Sequence, residues 1–133
     1  MLNLQPVQTD GAPAAIGPYS QGVAVNVSPH GVVCLLATAG QIGLDPASGQ
    51  MVPGGVQAET EQAFRNLTAI LAAQQLTLAH VVKTTVFLAD INEYAAMNTL
   101  YAEFFPNLPP ARSTPVVTLP KGLLMSIECI AMV

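Results

Sequence analysis

Positive charge is scarce in this chain. Four of its 133 residues are lysine or arginine, against eight acidic ones, for a net charge of −4 and a pI of about 4.8. Without a basic patch or basic-aromatic interleaving, no nucleic-acid partner is expected. Charged residues of either sign make up 9%, where a typical soluble domain carries roughly 25%. Apolar runs are short despite a hydrophobic content of 51%. The longest, Gly31 to Gly40, is broken by Cys34 and Thr38, well below the roughly 18 residues that span a bilayer. A membrane is therefore a poor home for the apolar excess, and other copies of the chain are a better one. The expected state is a homo-oligomer.

Cysteine and histidine are as sparse. Cys34 and Cys129 both lie in apolar strand-like runs and read as buried thiols in a reducing cytoplasm, not as a disulfide or a metal pair. His30 sits in a turn context and His80 ends a polar stretch, with no cysteine or carboxylate cluster near either in sequence, so no metal site is expected. The start, Met1-Leu2-Asn3-Leu4-Gln5-Pro6, has no basic n-region and no long apolar h-region, so no secretory signal is evident and the expected location is cytoplasmic.

The length suits one domain, 1–133, with a sizeable core. No repeat or low-complexity linker divides it. Gly22 to Val27 and Val32 to Ala39 read as a β-hairpin about the turn Ser28-Pro29-His30-Gly31. From Val56 to Gln75 the period becomes helical, with Val56, Ala63, Leu67, Ile70 and Leu71 on one face. Val81 to Leu88 is a β-branched run and hence a strand. Asp90 or Asn92 can cap a second helix carrying Tyr94, Met97, Tyr101 and Phe104, which Pro106, Pro109 and Pro110 end. Ser113 to Thr118 and Leu124 to Met132 are the closing strands, and Leu4 to Thr9 can add a short one. This order predicts an α+β fold, one mixed sheet with two helices on one face. The other face still carries apolar residues and needs subunit partners.

Against that background Arg112 stands out. It follows Pro109-Pro110-Ala111 and precedes an apolar strand-like run, an unusual place for a solvated cation. Its planar fork suits a carboxylate or a phosphate, and the plainer alternative is a structural salt bridge.

The chain then resembles the reactive intermediate deaminase (Rid, or YjgF) family. The resemblance runs from about Ala12 to Ala131 and rests on Ala14-Ala15-Ile16-Gly17-Pro18-Tyr19-Ser20-Gln21, Ala39-Gly40-Gln41-Ile42 and Val82-Lys83-Thr84-Thr85-Val86-Phe87-Leu88. It continues with Asn98 followed by Tyr101, Pro110-Ala111-Arg112-Ser113, Leu119-Pro120-Lys121-Gly122 and Ile127-Glu128-Cys129-Ile130-Ala131. It implies a chorismate-mutase-like subunit in a homotrimer with clefts between neighbours. It also implies hydrolysis of enamines and imines of 2-keto acids to the keto acid and ammonia, without metal or organic cofactor. In this resemblance Arg112 clamps the substrate carboxylate, backbone groups of Ala39, Gly40 and Thr114 complete that site, and Tyr19 projects its phenol into the cleft from a neighbouring subunit. Asn98 and Lys83 line or support the wall. The plainer readings are a helix-face amide for Asn98, a structural partner of Glu128 for Lys83, and a core aromatic for Tyr19.

Three departures bear on function. Thr114 stands where the family usually has cysteine. Ser126 stands where the family commonly has the first glutamate of Glu-Ile-Glu, the one that holds the attacking water. Glu128 shares its strand face but lies about 7 Å away. The hairpin also looks longer through Asn26-Val27-Ser28-Pro29-His30-Gly31. The leading expectation is an imine/enamine deaminase acting on a small imino acid. The alternatives are a keto-acid-binding or regulatory protein without turnover, favoured by Ser126, and a deaminase for a larger, aminomuconate-like acid. A ribonuclease label, also carried by some family members, fits poorly with four cationic residues.

Overall fold

The structure, a computed structural model, describes residues 3–26 and 34–133. Eight elements follow in order: β1 (Asn3–Val7), β2 (Gly22–Asn26), β3 (Cys34–Thr38), α1 (Gly55–Ala72), β4 (Val81–Leu88), α2 (Tyr94–Phe104), β5 (Ala111–Ser113) and β6 (Met125–Met132). The strands form one mixed sheet ordered β1-β2-β3-β6-β4-β5. Every neighbouring pair is antiparallel except β4 and β5, which run parallel. The α+β expectation, with two helices on one sheet face, is what the chain adopts.

Alternation along β6 explains why the sheet is two-faced. Met125, Ile127, Cys129 and Ala131 are buried, whereas Ser126 and Glu128 are half-buried and Ile130 and Met132 are exposed. The buried set meets Leu36 of β3, Val86 and Leu88 of β4, and the apolar stripe of α1 formed by Ala63, Phe64, Leu67, Ile70 and Leu71. Fully burying one such leucine, isoleucine or phenylalanine contributes about 1.5–3 kcal/mol. The opposite face keeps Leu35, Ala37, Ile130 and Met132 in register with one another and uncovered by helix. Cys34 and Cys129 are buried free thiols, as expected, and burial pushes the Cys129 thiol up to about 11, so it stays protonated near neutral pH.

The structure corrects several boundaries. Helix α1 stops at Ala72, not Gln75, because Gln75 takes a positive φ of 60° and the Leu76 N–H returns to the Leu71 carbonyl. Asp90 does cap, but it accepts from the Asn92 N–H and starts a 3₁₀ turn, Ile91–Glu93, that feeds α2. The expected strand Ser113–Thr118 is instead the short β5, followed by a single parallel bridge from Leu88 to Val116. Pro115 has no N–H for a continuous ladder and offers only its carbonyl, to Leu88. The turn Ser28–Gly31, and with it His30 and most of the lengthened hairpin, lies outside the described residues. No helix among the described residues is long and apolar enough to cross a membrane.

Candidate active site

The parallel pairing of β5 with β4 sets Arg112 opposite Thr84, on the sheet face that carries the helices. There the guanidinium carbon lies 4.5 Å from the centre of the Tyr101 ring, a cation–π contact. Tyr101 is itself fixed, since its hydroxyl shares a 2.8 Å hydrogen bond with the buried Thr84 hydroxyl. Its ring also packs in an aromatic cluster with Phe64 and Phe105. The Arg112 Nη2 donates to the Tyr94 hydroxyl at 3.0 Å. Among the described residues no carboxylate pairs with Arg112; the one salt bridge there joins Arg65 to Glu61. Among the described residues the guanidinium has one hydrogen-bond partner for its five N–H donors, the Tyr94 hydroxyl.

Helical spacing assembles this site. Tyr94, Asn98 and Tyr101 are four and then three residues apart, so they share one face of α2. Asn98 is half-buried, and its side-chain oxygen is buried without a hydrogen-bond partner among the described residues. A polar atom withheld from water in this way costs free energy unless a ligand or water meets it. The two phenols shift in opposite directions. Asn98 and then Arg112 draw Tyr94 below its ordinary 10.0, whereas burial raises Tyr101 against the pull of Thr84 and Arg112.

The remaining predicted site residues do not join Arg112 within one subunit. Ser126 pairs with Phe87 and faces the opposite side of the sheet. There it meets Gly40, where any added Cβ would come within 2.8 Å of the Ser126 hydroxyl. A side chain at 40 would thus require the Ser126 hydroxyl to turn aside. The Ala39 N–H is already committed to the Gln21 carbonyl at 2.8 Å. Lys83 also points to this open face, in a hollow of about 220 Å³ with Thr38, Thr85 and Glu128. It donates to the Ser113 hydroxyl at 3.1 Å, and it makes no ion pair with Glu128. Thr114 follows β5, half-buried.

Tyr19 precedes β2, whereas Arg112 lies in β5, the last strand at the far edge of the sheet. It is no core aromatic, being 51% exposed, and its hydroxyl accepts from the Ile16 N–H. Behind it the buried Gln21 side chain donates to the carbonyls of Thr9, Ala12 and Pro13 and accepts from the Thr9 N–H. That amide staples the segment that presents Tyr19. Sequence reasoning gave no role to Tyr94, which it read as one residue of an apolar helix stripe. The signal available was its spacing of four from Asn98. Among the described residues no three His, Cys, Asp or Glu side chains cluster to hold a metal.

The described residues form a two-helix mixed-sheet domain that sets Arg112 on an aromatic platform with no carboxylate beside it. A family model described as endoribonuclease L-PSP matches residues 9–133. The chain belongs to this family, the Rid or YjgF family. It is 48% identical over 126 residues to a rat protein named 2-iminobutanoate/2-iminopropanoate deaminase, spanning 94% of this chain and 87% of that one. The crystal structure of RidA from the Antarctic bacterium Psychrobacter superposes with a TM-score of 0.85 at 38% identity, covering 97% of this chain and 99% of the other. That of Escherichia coli TdcF with bound serine superposes with a TM-score of 0.84 at 36% identity, covering 97% and 98%.

Proposed function

We propose that the protein is an imine deaminase that hydrolyses small 2-imino acids, of the kind named for its rat relative, to 2-keto acids and ammonia. The observation that carries this reading is Arg112, held on Tyr101 with no carboxylate among the described residues to neutralise it. A substrate carboxylate supplies that missing partner through a bidentate, charge-assisted contact. The imine carbon is electrophilic already, so the protein has to hold it, aim a water at it and exclude competitors. Water adds to carbon, the C=N bond breaks, and nitrogen leaves as ammonia while the oxygen remains as the keto group.

One subunit does not complete this site in our reading. Tyr19 and Arg112 are separated by most of the sheet's width, and Ser126 with Gly40 faces away from Arg112. A homotrimer in which neighbouring copies bring these groups to one cleft accounts for all of them. It also covers the apolar open face of Leu35, Ala37, Ile130 and Met132. Within that cleft Arg112 clamps the carboxylate, the Gly40 N–H and the Thr114 backbone support it, Asn98 and Lys83 line the wall, and Ser126 holds the water.

A second reading has one observation in its favour. Serine at 126 is a poor base near neutral pH, and losing general acid–base help costs about 10²–10⁴ in rate. A protein that captures keto acids without turnover follows if nothing replaces it. The deciding experiment generates 2-iminobutanoate in situ and follows its loss with wild type, Arg112→Ala and Ser126→Glu, beside 2-ketobutyrate calorimetry. Acceleration by wild type that Arg112→Ala abolishes supports the deaminase. Binding without acceleration, with a gain in Ser126→Glu, supports capture alone. Neither binding nor acceleration overturns both.

A further inference from the structure

Arginine in a binding site has a cost that the fold has to meet. Its long side chain loses rotamer entropy when held, and an exposed guanidinium samples many orientations. Two constraints act on Arg112. The Tyr101 ring, 4.5 Å away, sets the height of the guanidinium plane, yet a flat ring leaves rotation within that plane free. The Tyr94 hydroxyl, accepting from Nη2 at 3.0 Å, removes that freedom.

The Tyr94 contact is made through the hydroxyl and not through the ring. Its ring centre is 5.6 Å from the guanidinium carbon, beyond the Tyr101 distance. The side chain is 37% exposed and takes no part in the buried core, so core packing does not account for its placement. The phenol belongs to the same helix face as Asn98, whose buried oxygen lacks a partner among the described residues.

We propose that Tyr94 is a positioning residue, tying one guanidinium nitrogen of Arg112 so that the remaining edge meets a small 2-imino or 2-keto carboxylate in a single orientation. This rests on the deaminase reading for the identity of the ligand. It adds that the phenol, one turn before Asn98, fixes which edge of the guanidinium the carboxylate meets. Because the tie is present before ligand arrives, its loss weakens binding and leaves the chemical step intact.

Tyr94→Phe keeps the ring and removes only the hydroxyl at a partly exposed site, so folding is not at issue. Steady-state rates on 2-iminobutanoate generated in situ, and 2-ketobutyrate affinity by calorimetry, are compared in wild type, Tyr94→Phe, Arg112→Lys and the double variant. Arg112→Ala serves as the control. The expected result is a rise in KM and Kd of about three- to tenfold in Tyr94→Phe, the weight of one half-exposed charge-assisted hydrogen bond, with kcat within about twofold. In the Arg112→Lys background the same change has an effect of less than about twofold, since the fork it positions is gone. Unchanged Kd in Tyr94→Phe, with binding lost in Arg112→Ala, overturns the positioning role and leaves the deaminase standing. A fall in kcat at constant KM, or full additivity with Arg112→Lys, overturns it too. If Arg112→Ala binds as wild type does, the clamp itself is wrong and the role of Tyr94 falls with it.

Discussion

The chain has two arginines, and their surroundings differ in kind. Arg65 lies on the outer face of α1, where Nη2 meets the Glu61 carboxylate at 2.6 Å, four residues back, with both side chains largely in solvent. Arg112 lies on β5 over Tyr101, tied to a neutral phenol, with no carboxylate partner. A helix delivers an opposite charge to its own arginine through the repeat of its turn. A three-residue edge strand offers nothing of the sort, and α2 meets it there with aromatic rings and an amide. The first guanidinium therefore has its charge answered within the protein. The second has no such partner among the described residues, and in the proposed function a ligand supplies it.

Exchanging each arginine for lysine sharpens the contrast, because charge is kept while the planar fork is lost. At position 112 we expect the largest effect, a rise in KM for the imino acid of at least about tenfold, since a lysine neither stacks on Tyr101 nor grips a carboxylate bidentately. An equal effect at both positions would dissolve the distinction. Next comes the platform. Tyr101→Phe strands the buried Thr84 hydroxyl and should lower stability by about 1–3 kcal/mol in urea unfolding, with weaker keto-acid binding beside it. An unchanged midpoint would mean that Thr84 finds another partner.

The two phenols allow a finer test by alkaline absorbance titration. Tyr94 should ionise below 10.0, drawn down by Asn98 and by Arg112 facing it from β5, and this early step should vanish in Tyr94→Phe. Its phenolate would pair with Arg112 and compete with the substrate, so keto-acid affinity should fall as pH rises through that step, and less so in the variant. Tyr101 has its folded value raised by burial. Its contribution to stability is fully present below 10.0 and is lost as pH rises through the raised value. The smallest effect belongs to Arg65→Lys, within about 0.5 kcal/mol of wild type, as an exposed helix pair is worth little.

Much of the fold was readable before any coordinates. The run Leu124 to Met132 reads as a closing strand, and the helical spacing of Ala63, Leu67, Ile70 and Leu71 marks a helix, because each periodicity is the direct imprint of a buried face. Arg112 was visible because cations are rare here and this one adjoins an apolar run. Its surroundings were less visible. Tyr94 was grouped with Met97 and Tyr101 on a single helix stripe, although one is partly exposed and the others are buried. The resemblance puts Lys83 in the wall of the cleft where Arg112 clamps, yet within one subunit the two project to opposite sheet faces. Pairing of Thr84 with Arg112 sets this, and a linear pattern cannot state which residue of β4 lies beside which residue of β5.

The sequence by itself determined the family, the order of strands and helices and the buried thiols, since these follow from local periodicity and from motifs contiguous along the chain. Only the tertiary structure decided what Arg112 rests on, that Gly40 is pressed against Ser126, and that Tyr19 belongs to a different part of the subunit. Those are long-range facts. They depend on strand register and on which sheet face a helix covers, and both are fixed when the whole core packs at once.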